Sequence, residues 1–413
     1  MKKFKVITLG CRTNQYESQG FADQLRQMGY SSASEGEEAD LCIVNTCTVT
    51  DSADSASRHE IRSLLRENPK AQIAVTGCMA ESSPGAIASL DPRIQIVPNA
   101  KKERLVEQIF PDETEFPEFQ IASFDGHTRA FVKVQDGCNS FCTYCIIPYV
   151  RGRSRSRQIV DVVSEVEGLV AKGYKEVVIT GINVGDFDGG GRLSDLVRAV
   201  DSVKGLERLR ISSIDPDEVD ADLASAILEG KTTCPSMHIV LQSGSNVTLK
   251  RMNRKYTRQI FLDTFEMMKK KNPDFTATTD IIVGFPGESE ADFAETVDVV
   301  EKVQFAKVHM FPYSPRKRTR AALYPNQIPP SVMKERKQRL LRLAEKTAFQ
   351  LREQFVGREM TILLENEEKE GLISGHTPNF LRVWVPKRSF QPNDLVKVKL
   401  VENGPDGLIG RAL

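Results

Sequence analysis

The sequence predicts an α/β protein in three parts: an N-terminal parallel αβ sheet domain, a central partial TIM-like (β/α)6 barrel and a small C-terminal all-β barrel. Strand and helix patterns alternate through residues 1–110, which is typical of a parallel sheet with helical crossovers. Six more strand–helix units follow in residues 128–350, as in a TIM barrel that is incomplete. Residues 354–413 contain only short strands separated by Gly, Pro and Asn, which is the pattern of a small β-barrel.

The N-terminal domain, residues 1–110, places three cysteines at strand ends. Strands are predicted at 4–9, 41–45, 72–76 and 94–98, and helices at 16–29, 52–68 and 101–110. Cys11, Cys47 and Cys78 each come just after one of the first three strands. Because the carboxyl ends of parallel strands share one edge, where open α/β sheets bind ligands, these cysteines can converge there. Three unrelated buried thiols are an equally good interpretation of the spacing alone.

An acidic segment with two prolines, residues 111–127, is predicted to link this domain to the central barrel, residues 128–350. Barrel strands are predicted at 130–135, 176–180, 208–212, 237–241, 277–283 and 306–311. The unusual loops follow strands and are expected on one face of the barrel; they are 136–157, 181–191, 242–245 and 284–288. A charged helix at 331–353 leads to the C-terminal strands, predicted at 360–365, 381–385, 395–402 and 408–413.

Composition narrows the class of protein. The chain has 413 residues, 40% hydrophobic and 27% charged, and no apolar run approaches the ~20 residues of a membrane span. We expect a cytoplasmic protein with no membrane segment, because the N-terminus resembles a strand and not a signal peptide. Eight cysteines in such a chain indicate metal or redox chemistry and not a disulfide framework. Residues 1–124 hold 13 basic and 18 acidic residues, so the remainder is basic and compatible with a polyanionic partner.

The strongest chemical motif is Cys138-Asn-Ser-Phe-Cys142-Thr-Tyr-Cys145, in a loop after a predicted strand. Three thiolates at this spacing can hold three irons of a 4Fe–4S cluster and leave the fourth iron open to another ligand. A zinc site or a redox pair of Cys142 and Cys145 are the alternatives. They explain neither the spacing of the third cysteine nor the barrel.

This cysteine motif resembles that of the radical S-adenosylmethionine superfamily, in which the cofactor chelates the open iron and is cleaved to a 5′-deoxyadenosyl radical. Other segments match the same superfamily in order, including GINVG at 181–185 and DIIVGFPGE at 280–288, while LQSGS at 241–245 resembles a segment of the methylthiotransferase family within it. The resemblance implies that these residues bind S-adenosylmethionine: Tyr144, Gly181, Asn183, Ser212, Ser213, Gln242 and Gly284.

Three more segments, LGCRTNQ at 9–15, NTCT at 45–48 and TGC at 76–78, resemble the cluster loops of the methylthiotransferase family. The resemblance extends over nearly the whole chain. It implies an auxiliary 4Fe–4S cluster on Cys11, Cys47 and Cys78, the second of two clusters, and an RNA-binding TRAM domain at 354–413. Cys42 and Cys234 lie outside the cluster loops and are interpreted as structural.

The family has three branches, and GCRTNQYES resembles the one that acts on N6-threonylcarbamoyladenosine beside the tRNA anticodon. The alternatives are the isopentenyladenosine-tRNA branch, with GCQMN, and the ribosomal-protein-aspartate branch, with GC-x-KN. A non-enzymatic iron–sulfur RNA sensor is a further alternative, disfavoured by the cofactor segments. Arginines expected to contact RNA are Arg151, Arg153, Arg155, Arg157, Arg316 and Arg318. Carboxylate-paired surface arginines are the other interpretation.

The resemblance also implies a reaction that consumes two S-adenosylmethionine molecules. One methylates a sulfur held at the auxiliary cluster; the other yields the radical that takes hydrogen from C2 of the adenine, to which the methylthio group is joined. The implied partners are the tRNA anticodon stem-loop, an external electron donor and a sulfur source.

Overall fold

The computed structural model describes residues 2–121, 123–124 and 126–413. Its N-terminal sheet has five parallel strands in the order β2-β1-β3-β4-β5. They are β1 (Lys3–Thr8), β2 (Ser31–Ser32), β3 (Leu41–Thr46), β4 (Gln72–Gly77) and β5 (Ile94–Ile96). The helices are α1 (Arg12–Gln27), α2 (Asp51–Glu67), α3 (Cys78–Ser82), α4 (Pro84–Ala88) and α5 (Leu105–Ile109), with a 3-10 turn at Asn99–Arg104. The predicted parallel sheet is confirmed.

Two local details differ from the sequence prediction. Helix α1 begins at Arg12, before the predicted start at residue 16, with Cys11 as its N-cap residue. The prediction relied on the apolar face formed by Phe21 and Leu25. The first turn of the helix is polar although it is largely buried, so an apolar pattern does not reveal it. Strand β2 was missed because it has only two residues, both serine.

The central sheet is an open half-barrel of six parallel strands in the order β13-β12-β11-β10-β9-β6. They are β6 (Arg129–Lys133), β9 (Glu176–Thr180), β10 (Arg208–Ile214), β11 (Thr233–Ile239), β12 (Thr276–Val283) and β13 (Lys307–Pro312). Two short strands, β7 (Gln135–Asp136) and β8 (Arg155–Ser156), pair at the base of the cysteine loop. This arrangement confirms the predicted partial barrel.

Helices pack on the outer face of the half-barrel and bury its largest apolar core. They are α7 (Ile159–Ala171), α8 (Leu193–Asp201), α9 (Ala221–Leu228), α11 (Arg258–Lys271), α12 (Glu290–Val303) and α13 (Pro330–Glu353). The short helices α6 (Ile147–Val150) and α10 (Asn246–Arg251) lie in loops after strands. Among the described helices, none combines the length and apolar character that crossing a membrane would need.

The C-terminal domain is a closed barrel of five strands. They are β14 (Glu359–Lys369), β15 (Leu372–His376), β16 (Arg382–Pro386), β17 (Leu395–Gly404) and β18 (Gly407–Ala412). The sequence predicted four of them and missed β15, whose Ser374, Gly375 and His376 hide the strand pattern. Trp384 is buried, so it does not present a stacking surface.

The C-terminal barrel docks at the amino ends of the half-barrel strands. Arg208 Nη1 donates to the carbonyl of His376 (2.8 Å), and Arg210 Nη2 donates to that of Thr377 (2.8 Å). Thr276 Oγ1 donates to the carbonyl of Asn379. This end is opposite the loops that follow the strands.

The N-terminal domain spans the open side of the half-barrel. At one sheet edge, Tyr16 of α1 accepts a hydrogen bond from Arg157, which follows β8 (3.0 Å). At the other, Arg316, which follows β13, pairs with Asp51 and with Asp54 of α2 (2.7 Å to Asp54). Both edges of the half-barrel therefore contact the domain that carries Cys11, Cys47 and Cys78.

Candidate active site and cysteine clusters

A cavity of about 350 Å³ lies at the carboxyl ends of the half-barrel strands, and we call it the cysteine cavity. Cys138, Cys142 and Cys145 all line it, which brings the whole motif to one place. Val49 and Thr50, just after Cys47, also line it, so its wall includes both domains. The position agrees with the general location of sites in α/β barrels, where loops after the strands build the active site.

Gln135 fixes the loop that carries the three cysteines. Its Nε2 donates to the carbonyl of Gly137 (2.7 Å) and to Ser154 Oγ (2.8 Å), at the two ends of the loop. Its Oε1 accepts from the backbone N–H groups of Ile182 and Asn183 (3.0 Å each). Gly181 permits this approach, because a Cβ there would lie 2.9 Å from Gln135 Oε1. Sequence analysis missed Gln135, which no motif marks.

The thiols lie in a buried, hydrogen-bonded setting. Arg254 Nη1 donates to Cys142 Sγ (3.0 Å) and its Nη2 pairs with Asp215, while the backbone N–H of Ser140 donates to Cys138 Sγ (3.4 Å). Burial raises the pKa of Cys138 and of Cys145. Because iron stabilises thiolates and so lowers their pKa, three thiols that are buried or half-buried, two of them with N–H donors, fit a cluster site. Arg254 was also missed by sequence analysis.

The predicted cofactor residues divide into two groups. Tyr144, Asn183, Ser213 and Gln242 line the cysteine cavity, whereas three others lie behind its wall; these are Gly181, Ser212 and Gly284. Gly284 has φ +74°, and a Cβ there would overlap Met333, so this glycine allows a turn.

Two buried polar atoms in the cavity wall, Gln242 Oε1 and Tyr313 OH, have no hydrogen-bond partner among the described residues. A buried polar group without a partner is costly, and a polar cofactor in the cavity would supply one. The cavity therefore fits a ligand with amino, carboxylate and hydroxyl groups, such as S-adenosylmethionine.

One side of the cavity is acidic. Burial and the neighbouring Asp215 raise the pKa of Glu218 to about 7, and burial raises that of Asp215. Asn183 Nδ2 donates to Glu218 Oε1 (3.0 Å), which connects this carboxyl to the cavity wall. Carboxylates beside a cavity favour a cationic ligand, and S-adenosylmethionine is a sulfonium cation.

The second set of cysteines lies where the sequence predicted. Cys11 caps α1 after β1, Cys47 follows β3 and Cys78 begins α3 after β4, and these three strands are neighbours. Burial, with the charges of Cys78 and Cys11, raises the pKa of Cys47 to about 11. Asn14 Nδ2 donates to the carbonyls of Leu9 (2.6 Å) and Thr46 (3.1 Å), which joins the first two cysteine loops.

Cations face this second set. Arg151, the residue after α6, has Nη1 2.8 Å from Asp136 Oδ1 and 3.1 Å from Glu17 Oε1, and its guanidinium also bonds Cys78. Burial alone would raise the pKa of Glu17, but Arg151, Lys102 and Lys133 hold it well below its usual range. A thiolate cluster is anionic, so surrounding cations suit it.

No three His, Cys, Asp or Glu side chains in residues 2–121, 123–124 and 126–413 converge on a position for one metal ion. Thiolates are the ligands of iron–sulfur clusters, so each set of three cysteines has the donor chemistry of a cluster site.

Helix α6 links the two cysteine sets. It begins two residues after Cys145 and ends at Val150, just before Arg151. Cys78 packs with Ile146 and Val150 in one apolar group, and Asn99 Nδ2 donates to the carbonyl of Val150 (2.6 Å). One turn of helix therefore separates the two sets.

The predicted RNA-contacting arginines lie in different settings. Arg151 is buried as described, and Arg316 is buried against Asp51 and Asp54. The structure thus places these two at contacts between domains and not on an open surface. Arg155 pairs with Asp136 (2.9 Å) and Arg157 with Glu165 (2.6 Å).

Arg153 and Arg318 are exposed and stack on aromatic rings beside the cysteine loop. Arg153 lies 4.3 Å from the ring centroid of Phe141, and Arg318 lies 5.2 Å from that of Tyr149. The two rings meet edge to face at 6.3 Å. We call these four residues the stacking surface.

Cys42 and Cys234 are buried within strands β3 and β11, away from both sets. Burial raises the pKa of Cys42 to about 11 and also raises that of Cys234. Sequence analysis placed Cys234 before its strand, whereas it is the second residue of β11.

Known families and proteins resemble this chain over nearly its whole length. Residues 3–98 match the family described as uncharacterized protein family UPF0004, and residues 132–300 match the Radical SAM superfamily. The threonylcarbamoyladenosine tRNA methylthiotransferase MtaB of Chlamydia pneumoniae is 51% identical, covering 98% of this chain and 97% of that protein. MtaB of Bacillus subtilis is 36% identical, covering 96% and 93%. The tRNA-2-methylthio-N(6)-dimethylallyladenosine synthase of Caldicellulosiruptor saccharolyticus is 36% identical, covering 100% and 93%.

Solved structures with similar folds are also radical enzymes. The radical S-adenosylmethionine methyltransferase TsrM from Kitasatospora setae aligns with a TM-score of 0.58 and 14% identity, covering 78% of this chain and 75% of that one. The cobalamin-dependent radical enzyme OxsB aligns with a TM-score of 0.54 and 12% identity, covering 85% and 58%. These two similarities establish the fold. Together with the near full-length identity to the curated relatives, the site shows that the chain belongs to the radical S-adenosylmethionine tRNA methylthiotransferase family.

Proposed function

We propose that the protein adds a methylthio group to C2 of N6-threonylcarbamoyladenosine next to the tRNA anticodon. The observation that carries the proposal is the position of two sets of three cysteines on either side of one short helix, α6. Insertion of a methylthio group needs a radical at an unactivated carbon and a sulfur donor beside it, so two adjacent centres suit the reaction. The names of the MtaB relatives indicate which nucleoside is the substrate.

Membership of the Radical SAM superfamily implies a 4Fe–4S cluster and S-adenosylmethionine. Cys138, Cys142 and Cys145 would hold that cluster, which supplies the electron that cleaves the cofactor to a 5′-deoxyadenosyl radical. Arg254 bonds the Cys142 sulfur and Gln135 holds the cysteine loop in position.

The wall of the cysteine cavity would orient the cofactor. Tyr144, Asn183, Ser213 and Gln242 line it and would bind the cofactor, and the unpartnered Gln242 Oε1 can accept a hydrogen bond from it. Three further residues do not line the cavity and would act through its shape; these are Gly181, Ser212 and Gly284.

The auxiliary cluster is the second part of the proposal. Cys11, Cys47 and Cys78 would hold a second 4Fe–4S cluster, which would supply the sulfur to be transferred in a reaction that consumes two S-adenosylmethionine molecules. Arg151 bonds Cys78 and Asp136, so it would balance negative charge at these thiolates and connect them to the cysteine loop.

The stacking surface is proposed as the contact for the anticodon loop. Unpaired bases stack on aromatic rings and on guanidinium planes, and Phe141, Tyr149, Arg153 and Arg318 offer both beside the cysteine loop. Arg155 and Arg157 extend this basic face. Phe141→Ala should weaken binding of an anticodon stem-loop by about tenfold. An unchanged Kd in fluorescence anisotropy would remove the stacking surface from recognition.

Each domain has a separate role in the proposed function, with the domain boundaries that the sequence suggests. Residues 1–110 hold the auxiliary cluster, 111–127 connect, 128–350 form the radical core and 354–413 act as a TRAM-like RNA-binding barrel. The protein works in the cytoplasm with an external electron donor and a sulfur source.

The test is product analysis under anaerobic conditions. The reconstituted protein, S-adenosylmethionine and a reductant are mixed with tRNA carrying threonylcarbamoyladenosine. The tRNA is then digested, and its nucleosides are identified by mass spectrometry. We expect 2-methylthio-N6-threonylcarbamoyladenosine, and no methylthio product from tRNA carrying N6-dimethylallyladenosine. Product from the second tRNA alone would assign the protein to the other tRNA branch.

A further inference from the structure

A smaller cavity of about 60 Å³ lies inside the half-barrel, and we call it the lower cavity. Along β12, Thr278 lines the lower cavity and Asp280 lines the cysteine cavity. His238 of β11 and Val240, the residue after that strand, do the same. Because residues two apart in a strand face the same side, the lower cavity lies one layer beneath the cysteine cavity.

Arg12 extends into the lower cavity from the N-terminal domain. Its guanidinium lies 5.5 Å from the ring centroid of Phe131, within cation–π range. Throughout the part of the chain that the structure describes, no hydrogen bond or ion pair engages this guanidinium. A largely enclosed arginine without an anion is costly, and proteins normally pair such a charge.

Nearby carboxylates are already engaged. Glu176 accepts from Arg210 Nε (2.6 Å), and Glu365 pairs with Arg129 Nε (3.3 Å). Arg129 and Arg210 are the other two arginines that line this cavity. Arg12 is therefore the cation of this cavity that has room for an added carboxylate.

The proposed substrate carries such a group. The threonylcarbamoyl substituent ends in one carboxylate and one hydroxyl, whereas a dimethylallyl substituent is apolar. An arginine fork binds a carboxylate through two parallel hydrogen bonds. A water needs about 10–15 Å³ of such space, so about 60 Å³ accommodates the three heavy atoms of a carboxylate.

The position of Arg12 also suits the reaction geometry. Arg12 directly follows Cys11, so one backbone step separates the auxiliary cysteines from the lower cavity. In adenine, C2 and the N6 substituent lie on the same edge of the base. A base whose C2 faces the cysteines therefore keeps its N6 substituent on the side of the auxiliary cysteines, next to which Arg12 lies in sequence.

Resting on the function proposed above, we propose that Arg12 determines substrate specificity by binding the carboxylate of the threonylcarbamoyl group in the lower cavity. Thr278 and Ser236, which also line it, are positioned to bond the substituent's hydroxyl.

Three anticodon stem-loop RNAs test this. One carries threonylcarbamoyladenosine, one carries its methyl ester and one carries unmodified adenosine. The reconstituted wild-type protein should bind the acid about ten- to hundredfold more tightly than the ester, as expected for a charge-assisted bond. Arg12→Gln should bind acid and ester equally, and Arg12→Lys should retain part of the preference. Arg62→Gln, which removes an exposed arginine from the same domain, should keep the wild-type preference.

Each outcome has a separate meaning. A retained preference for the acid in Arg12→Gln, or equal binding of acid and ester by the wild type, would overturn the role of Arg12. Either result is compatible with methylthio product from the acid substrate, so the proposed function would survive it. Absence of that product in the wild type would instead overturn the function. Iron content is measured in every variant to confirm that the cluster on Cys11 is retained. If Arg12→Gln loses iron, the role of Arg12 is judged from the acid-over-ester preferences of the wild type and of Arg12→Lys.

Discussion

The two cysteine sets differ in how the chain assembles them. Cys138, Cys142 and Cys145 lie within eight residues on one loop, whereas Cys11, Cys47 and Cys78 come from three strand ends. Their surroundings differ as well. Arg254, which is itself paired with Asp215, bonds Cys142 of the first set, whereas two cations, Arg151 and Lys102, face Cys78 of the second. The three cysteines of the local motif come together once their loop has the correct conformation, but those of the dispersed set come together only when the whole sheet has formed. The proposed radical-forming site and the proposed sulfur-donating site are therefore assembled by different structural means.

The largest expected effect distinguishes the sites by removing one ligand of the local motif. Cys142→Ala should abolish cleavage of S-adenosylmethionine, because the radical cluster loses one of its three thiolates and the bond to Arg254. Formation of 5′-deoxyadenosine, followed by chromatography, is the measurement. Cys234→Ala, which removes a buried cysteine elsewhere in the same domain, should leave cleavage intact. Cleavage retained in Cys142→Ala would count against the assignment of this motif.

Removing a ligand of the dispersed set should separate the two activities. Cys47→Ala should still cleave S-adenosylmethionine but form no methylthiolated nucleoside, because the radical loop lies in the other domain. Cys42→Ala, five residues earlier in β3, is the matched control and should retain both activities. Normal product from Cys47→Ala would exclude the auxiliary cluster from the reaction.

Arg151 joins the two sites, and its replacement tests whether their spacing matters. Arg151→Lys keeps the charge but loses the fork that bonds Glu17 and Asp136. We expect cleavage within about twofold of wild type and methylthiolation lower by about 10–100-fold, the usual cost of losing a partner next to a metal ligand. The ratio of methylthio product to 5′-deoxyadenosine measures this coupling.

Two further variants complete the test of Arg151. Arg104→Lys changes an exposed arginine of the N-terminal domain and should leave the ratio unchanged. Arg151→Ala should lower the free energy of unfolding by about 1–3 kcal/mol, since two buried carboxylates lose a charged hydrogen-bond partner but keep Lys102 and Arg155. If Arg151→Lys changes cleavage and methylthiolation equally, the residue supports folding and does not couple the sites.

The smallest expected effect concerns the acidic side of the cysteine cavity. Burial and Asp215 raise the pKa of Glu218 to about 7, so the folded protein holds a proton that the unfolded chain releases above pH ~4.5. The stability from this group is present below pH ~4.5 and is lost as the pH rises through 7. Glu218→Gln should therefore be neutral at pH 5 and raise Tm by about 2 °C at pH 8. The exposed Glu207→Gln should show no such pH dependence; an identical response would contradict the raised pKa.

Sequence reasoning predicted the parallel sheet, the half-barrel and both cysteine sets, because strand alternation and strand-end positions carry that information. It could not find Gln135 or Arg254, which act through contacts between loops far apart in sequence. It also expected Arg151 to contact RNA, because charge alone does not reveal that Arg151 is buried and paired with Glu17. Strand β15 was missed because a glycine and two polar residues interrupt its pattern.

The most direct test of the central claim is the iron content of the anaerobically reconstituted protein. Two 4Fe–4S clusters require about eight irons per chain. The account predicts about four irons when Cys138, Cys142 and Cys145 are all replaced by alanine, and about four when Cys11, Cys47 and Cys78 are replaced instead. About four irons in the wild type, lost entirely in the first variant and kept in the second, would contradict it. The dispersed cysteines would then be structural, and the protein would have no site for the sulfur to be transferred.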